Sequence, residues 1–149
     1  MSDARASGRR PFTSVAPLFI VTAAMELGAG LTLLAAPAVV IRLLFGSAVD
    51  LFPAAGIARL TGAALLSLGA ACWWARHEER SAASRALVGA LLIYNAAVVA
   101  LGIVGALGTL GPLQWAAIVL HGAQAIWCGW LLPIDEGKGE VAFRIDLRR

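Results

Sequence analysis

The chain has 149 residues, of which 60% are hydrophobic and only 14% are charged. Soluble domains carry about a quarter charged residues, so the composition excludes an ordinary soluble domain and predicts a membrane protein. The apolar runs are too long for barrel strands, and lipid-exposed backbone must then be helical. The net charge of +3 does not predict nucleic-acid binding, because the basic residues lie at the ends of the apolar runs.

Four apolar runs predict an all-α fold, a bundle of four transmembrane helices. Each run is close to the roughly 20 residues that cross the hydrocarbon as a helix. The predicted spans are Ser14–Ala36, Ala54–Ala75, Ala86–Leu107 and Leu113–Leu132. The predicted organisation is a disordered tail at 1–13, a transmembrane domain at 14–133 and a second tail at 134–149.

The segment from Pro37 to Pro53 predicts a short interfacial helix between the first two spans. Pro37 suits a helix start and Gly46 suits a helix end, and the intervening residues are too few to cross a bilayer. A re-entrant segment is the alternative.

The distribution of Lys and Arg predicts that both termini are cytoplasmic. Three lie in the first tail, three in the loop at 76–85 and four in the last tail, against Arg42 and Arg59 on the other side. In the last tail, residues 141–147 alternate apolar and polar side chains with the period of a strand. We expect that segment to be ordered only by contact with another chain, or else to be disordered.

Polar residues at the centres of the spans form the candidate functional site. Glu26 is the sole charge in the first span, and a charge at that depth costs about 2.5 to 3.5 kcal/mol and needs a partner. Asn95 and His121 share its depth, and Gln124 lies one turn from His121. Arg59 lies nearer the outer side, and its long side chain reaches either Glu26 or the interface.

Two interpretations of these residues stay open. In one, the polar side chains are interhelical hydrogen-bond links. In the other, Glu26 and His121 form a proton-accepting or ligand-binding pair in a water-accessible cavity. Haem ligation by His121 is a less favoured interpretation, because His121 alone supplies at most one axial ligand. Cys72 and Cys128 form no metal or redox motif, so no cofactor, metal site or catalytic residue is predicted.

Several segments resemble small four-helix bacterial membrane proteins, loosely the DoxX-like proteins. The resemblance is carried by residues 37–46, the run Arg59-Leu60-Thr61-Gly62-Ala63-Ala64-Leu65-Leu66-Ser67-Leu68-Gly69, Tyr94-Asn95 and His121. It implies a multi-pass protein of the bacterial cytoplasmic membrane and carries over no catalytic residues.

The sequence therefore predicts a non-catalytic membrane protein in the lipid bilayer, either an accessory subunit that binds other membrane chains or a self-associating homo-oligomer. The alternative is a proton-coupled small-molecule carrier or ligand-binding protein that uses Glu26 and His121. A membrane enzyme ranks below these two, because the sequence shows no arrangement of a nucleophile and a base.

Overall fold

A computed structural model describes residues 14–46, 51–78, 81–105 and 111–132. Within these ranges the chain is all-helical, which confirms the all-α part of the predicted fold class. The helices are α1 (Ala16–Ala35), α2 (Pro37–Phe45), α3 (Leu51–Ala75), α4 (Ala82–Gly105) and α5 (Pro112–Leu131). The two predicted tails, including the alternating segment at 141–147, lie outside the described residues.

Three of the described helices are long and apolar enough to cross a membrane: α1, α4 and the part of α3 from Phe52 to Ala75. Helix α5 corresponds to the predicted fourth span and has 20 residues. It carries several polar residues, among them Gln114, His121 and Gln124, and it is not one of these three helices. The count of four spans therefore stays a prediction.

Helix α2 has the predicted bounds. Pro37 occupies its first turn, where the missing N–H is not needed, and Ala36 before it leaves the helical conformation and ends α1. Gly46 follows its last residue with a φ of 75°, a conformation that favours glycine. That α2 lies in the membrane interface stays a prediction.

Two helices begin earlier than the spans predicted for them. Helix α3 begins at Leu51 rather than Ala54, because a proline such as Pro53 is tolerated in a first turn. Helix α4 begins at Ala82 rather than Ala86, because Ser81 caps it: the Ser81 hydroxyl oxygen accepts the Ser84 N–H at 3.0 Å. The charged loop is therefore shorter than the predicted segment 76–85.

Helices α1 and α3 form the closest helix pair, and glycines allow their backbones to meet. A Cβ atom added to Gly30 would lie 2.7 Å from the Gly62 carbonyl oxygen, and one added to Gly62 would lie 2.8 Å from the Gly30 carbonyl oxygen. Further along, Gly69 of α3 lies against Leu27 of α1. Small residues of this kind are the usual device for close packing of membrane helices.

Helices α4 and α5 form the second pair. Gly102 of α4 makes room for Ile118 of α5, since an added Cβ would lie 2.7 Å from that side chain. Helix α2 closes this end of the bundle: the Gly111 N–H donates to the Leu44 carbonyl oxygen at 2.8 Å, which joins the end of α2 to the start of α5.

The apolar core lies towards the opposite end, where α1, α3, α4 and α5 all contribute. Its buried members are Leu18, Phe19, Ala23, Cys72, Val88, Leu91 and Cys128. The central residues of the predicted site lie between this core and the glycine contacts, so they occupy a polar layer in an otherwise apolar bundle.

We expect Gly30→Ala to weaken the α1–α3 contact, because its methyl group would meet backbone that cannot move aside independently. Overpacking of this kind costs about 1 to 3 kcal/mol. Gly28→Ala is the matched control, since a Cβ there meets nothing within 4 Å. Thermal unfolding in detergent measures both variants. Equal melting temperatures for the two would contradict the close backbone contact.

Candidate functional site

Six polar side chains from α1, α4 and α5 meet in the middle of the bundle. We call them the central cluster: Thr22, Glu26, Tyr94, Asn95, His121 and Gln124. Of these, Glu26 is 2% exposed and Asn95 is fully buried. The structure therefore brings polar residues of three helices together in a specific geometry.

Glu26 of α1 is paired with Tyr94 of α4. The Tyr94 hydroxyl donates to Glu26 Oε2 at 3.3 Å, and this bond joins residues far apart in sequence. A hydroxyl partner is neutral, so the contact satisfies one carboxyl oxygen without supplying a countercharge. Glu26 Oε1 has no hydrogen-bond partner among the described residues.

Asn95 holds His121 in a defined orientation. The Asn95 Nδ2 group donates to the Leu91 carbonyl oxygen at 2.7 Å, which turns Oδ1 towards α5. His121 Nδ1 lies 2.7 Å from that Oδ1. Since an amide oxygen only accepts, Nδ1 carries the proton in this contact and Nε2 is the free acceptor of a neutral ring.

Gln124 joins α5 directly to α1. Its Nε2 group donates to Thr22 Oγ1 at 3.1 Å and lies 3.5 Å from the Met25 sulfur. Gln124 is 4% exposed, and its Oε1 atom has no hydrogen-bond partner among the described residues. The α1–α5 contact therefore contains an amide whose donors are used and whose acceptor is not.

The predicted pair of Glu26 and His121 is linked through a third residue. The Tyr94 ring meets the His121 ring edge to face, with centroids 5.5 Å apart and planes at 86°, while its hydroxyl reaches Glu26. The order of contacts is thus Glu26, Tyr94, His121, Asn95. The described hydrogen bonds form two separate pairs, not an acid and imidazole dyad.

Arg59, the remaining candidate, lies outside this set. Its side chain is exposed on α3, whereas its neighbour Ala58 is buried. Arg59 is therefore not among the residues that the structure brings together, and its reach to the interface stays a prediction.

Sequence reasoning did not include Thr22 and Tyr94 among the site residues. Both are uncharged and occur in ordinary apolar spans, so nothing in their type separates them from packing residues. Helical spacing gave a usable signal for Thr22, because it lies one turn before Glu26 and faces the same way.

The central cluster can exchange or hold a proton, but it has little means of holding a metal ion. Within the described ranges, no three His, Cys, Asp or Glu side chains come together in a group suited to a metal. Glu26 and His121 are its side chains of ordinary acid and base type. A guest that binds here must donate hydrogen bonds, because Glu26 Oε1 and Gln124 Oε1 both accept.

No family model, curated protein or solved structure matches the chain. The resemblance to DoxX-like proteins therefore stays a prediction.

We expect the neutral His121 ring to carry its proton on Nδ1. Nitrogen NMR of protein labelled at histidine reports the tautomer, and the chain has only one other histidine, His77, which is exposed. In Asn95→Leu the His121 signals should shift while those of His77 stay in place. Unchanged His121 signals in that variant would contradict the Asn95 contact.

Proposed function

We propose that the chain is a non-catalytic membrane protein of four spans, with α5 as the fourth and α2 at the interface. It acts as an accessory subunit of a membrane complex or as a self-associating bundle in the bacterial cytoplasmic membrane. Both termini and the turn between α3 and α4 face the cytoplasm, in keeping with the basic residues there. The resemblance to DoxX-like proteins is part of the same proposal.

The observation that carries the non-catalytic role is what the central cluster bonds to. Two of its three interhelical hydrogen bonds, from Tyr94 to Glu26 and from Gln124 to Thr22, join the α4/α5 pair to the α1/α3 pair. The third, between His121 and Asn95, joins α5 to α4. Each such bond contributes on the order of 0.6 to 1.7 kcal/mol in a membrane. Buried groups used in this way support a packing role, whereas catalysis needs groups that a substrate reaches.

The proposal of an associated state follows from the small volume that four helices enclose. A bundle of this size has little internal volume for a substrate pathway. Its outer surface therefore offers more area for binding a partner. That surface includes exposed large side chains on several helices, among them Phe52, Trp74, Leu101 and Trp130. Aromatic residues near span ends also suit the membrane interface. The experiment below distinguishes contact with another chain from a role at the interface alone.

Extraction of the protein with its native lipids into polymer-bounded discs tests the association directly. Native mass spectrometry should show the chain together with a second copy or with a different membrane chain in a fixed ratio. The same particles formed after dilution into excess lipid provide the control for accidental co-capture. Discs that hold one chain alone before and after dilution would contradict the accessory-subunit and homo-oligomer roles.

A proton-coupled carrier or small-ligand binder is the second candidate. It is favoured by Glu26 Oε1, a buried acceptor with no described partner. The same discs distinguish it, because a small molecule retained by the wild-type protein and lost from Glu26→Gln would support this candidate. Identical spectra for the two proteins would remove it.

A further inference from the structure

Two buried acceptor atoms have no hydrogen-bond partner among the described residues. They are Glu26 Oε1 on α1 and Gln124 Oε1 on α5. The Gln124 amide contacts Thr22 and Met25 of α1. Glu26 directly follows Met25 in the chain and lies one helical turn after Thr22. A buried acceptor without a donor is unfavourable, and two such atoms on helices that contact each other point to a donor that both share.

The orientation of the Gln124 amide follows from its neighbours. Its nitrogen faces Thr22 Oγ1 and the Met25 sulfur. A thioether sulfur has no hydrogen to donate, so the amide nitrogen belongs on that side and Oε1 is left as an acceptor. The reversed amide would place two acceptors, oxygen and sulfur, against each other.

The roles of the Glu26 oxygens follow in the same way. Oε2 accepts from the Tyr94 hydroxyl, as the carbonyl oxygen of a carboxylic acid does. Oε1 is then the position for a proton. A proton converts Oε1 from acceptor to donor and adds almost no volume, which suits side chains that are only 2% and 4% exposed.

We propose that Glu26 is a proton-binding site, in which the proton on Oε1 is donated to Gln124 Oε1 and closes α1 against α5. One proton satisfies both unpartnered atoms, and it leaves no uncompensated charge in the apolar bundle. This site rests on the proposed role of the central cluster as the link between the two helix pairs. When the proton leaves, Glu26 becomes an anion facing an amide oxygen, and the link opens.

The other titratable groups around Glu26 come from α3, α4 and α5. Tyr94 of α4 donates to Glu26 and Cys72 of α3 lies near it, while His121 of α5 contacts Tyr94 and Cys128 of α5 lies in the core with Cys72. Thiols and phenols are ordinarily neutral at pH 7, and His121 is tied to Asn95. A response that requires the Glu26 carboxyl is therefore separable from theirs by substitution of Glu26 alone.

The sign of the pH dependence follows from proton linkage. A glutamic acid in a water-exposed unfolded chain is ionised above about pH 4.3. A folded protein that keeps the proton on Glu26 then binds one proton more than the unfolded chain, so its stability falls as pH rises. For one proton, the unfolding equilibrium constant rises by up to about tenfold per pH unit.

Infrared spectroscopy of the protein in lipid discs tests the site, because a protonated carboxyl has its own C=O stretching band. We expect a band at neutral pH that shifts in heavy water, is absent from Glu26→Gln, and changes frequency in Gln124→Leu. Glu78→Gln is the control, since Glu78 is exposed and its loss should leave the band unchanged. A spectrum without such a band at neutral pH would overturn the proposal.

Unfolding at several pH values adds a second readout that does not depend on Gln124→Leu being well folded. Glu26→Gln keeps a donor towards Gln124 Oε1, so we expect it to fold and to lose the pH dependence of the wild type. Equal pH dependence in both proteins would refute the site. If the carboxyl band is absent but the discs hold more than one chain, the proton site is refuted and the proposed function stands. If the band is present but each disc holds one chain, the proposed function is refuted and the proton site stands.

Discussion

The need to satisfy a carboxyl group inside an apolar bundle governs the middle of this molecule. A charge at that depth costs about 2.5 to 3.5 kcal/mol, more than a single interhelical hydrogen bond returns. Glu26 is nonetheless almost completely buried, with Tyr94 on one carboxyl oxygen and no described partner on the other. The two helix pairs are therefore joined by hydrogen bonds in the polar layer as well as by the apolar core beside it.

Packing within each helix pair uses a different device from packing between the pairs. Glycines let the backbones of α1 and α3 come close at Gly30 and Gly62, and Gly102 does the same for Ile118 of α5. These glycine contacts depend on shape and are insensitive to protons. Contacts between the pairs include the apolar core and the hydrogen bonds of Glu26 and Gln124, and a change in the protonation of Glu26 reaches the latter.

The fold was largely predictable because its signals are local. Apolar runs gave the helices, and Pro37 and Gly46 gave both ends of α2. The start of α4 was missed because Arg85 suggested a loop, while the Ser81 cap outweighs one charge in a first turn. The positions of Glu26, Asn95, His121 and Gln124 along their spans predicted that these residues share a depth. Which of them form hydrogen bonds with each other could not be predicted, because it depends on how the helices are rotated and packed. Tyr94 was missed because only the rotation of α4 about its axis brings its hydroxyl to Glu26.

A double-mutant cycle between the helix pairs tests the central claim most directly. Thr22→Val and Gln124→Leu each remove one partner of a buried contact between α1 and α5 while nearly preserving its shape. Measured in lipid, the two changes should be coupled by about 0.6 to 1.7 kcal/mol, the range for membrane hydrogen bonds. Strictly additive effects on the free energy of unfolding would contradict the account, because the polar layer would then not join the two helix pairs.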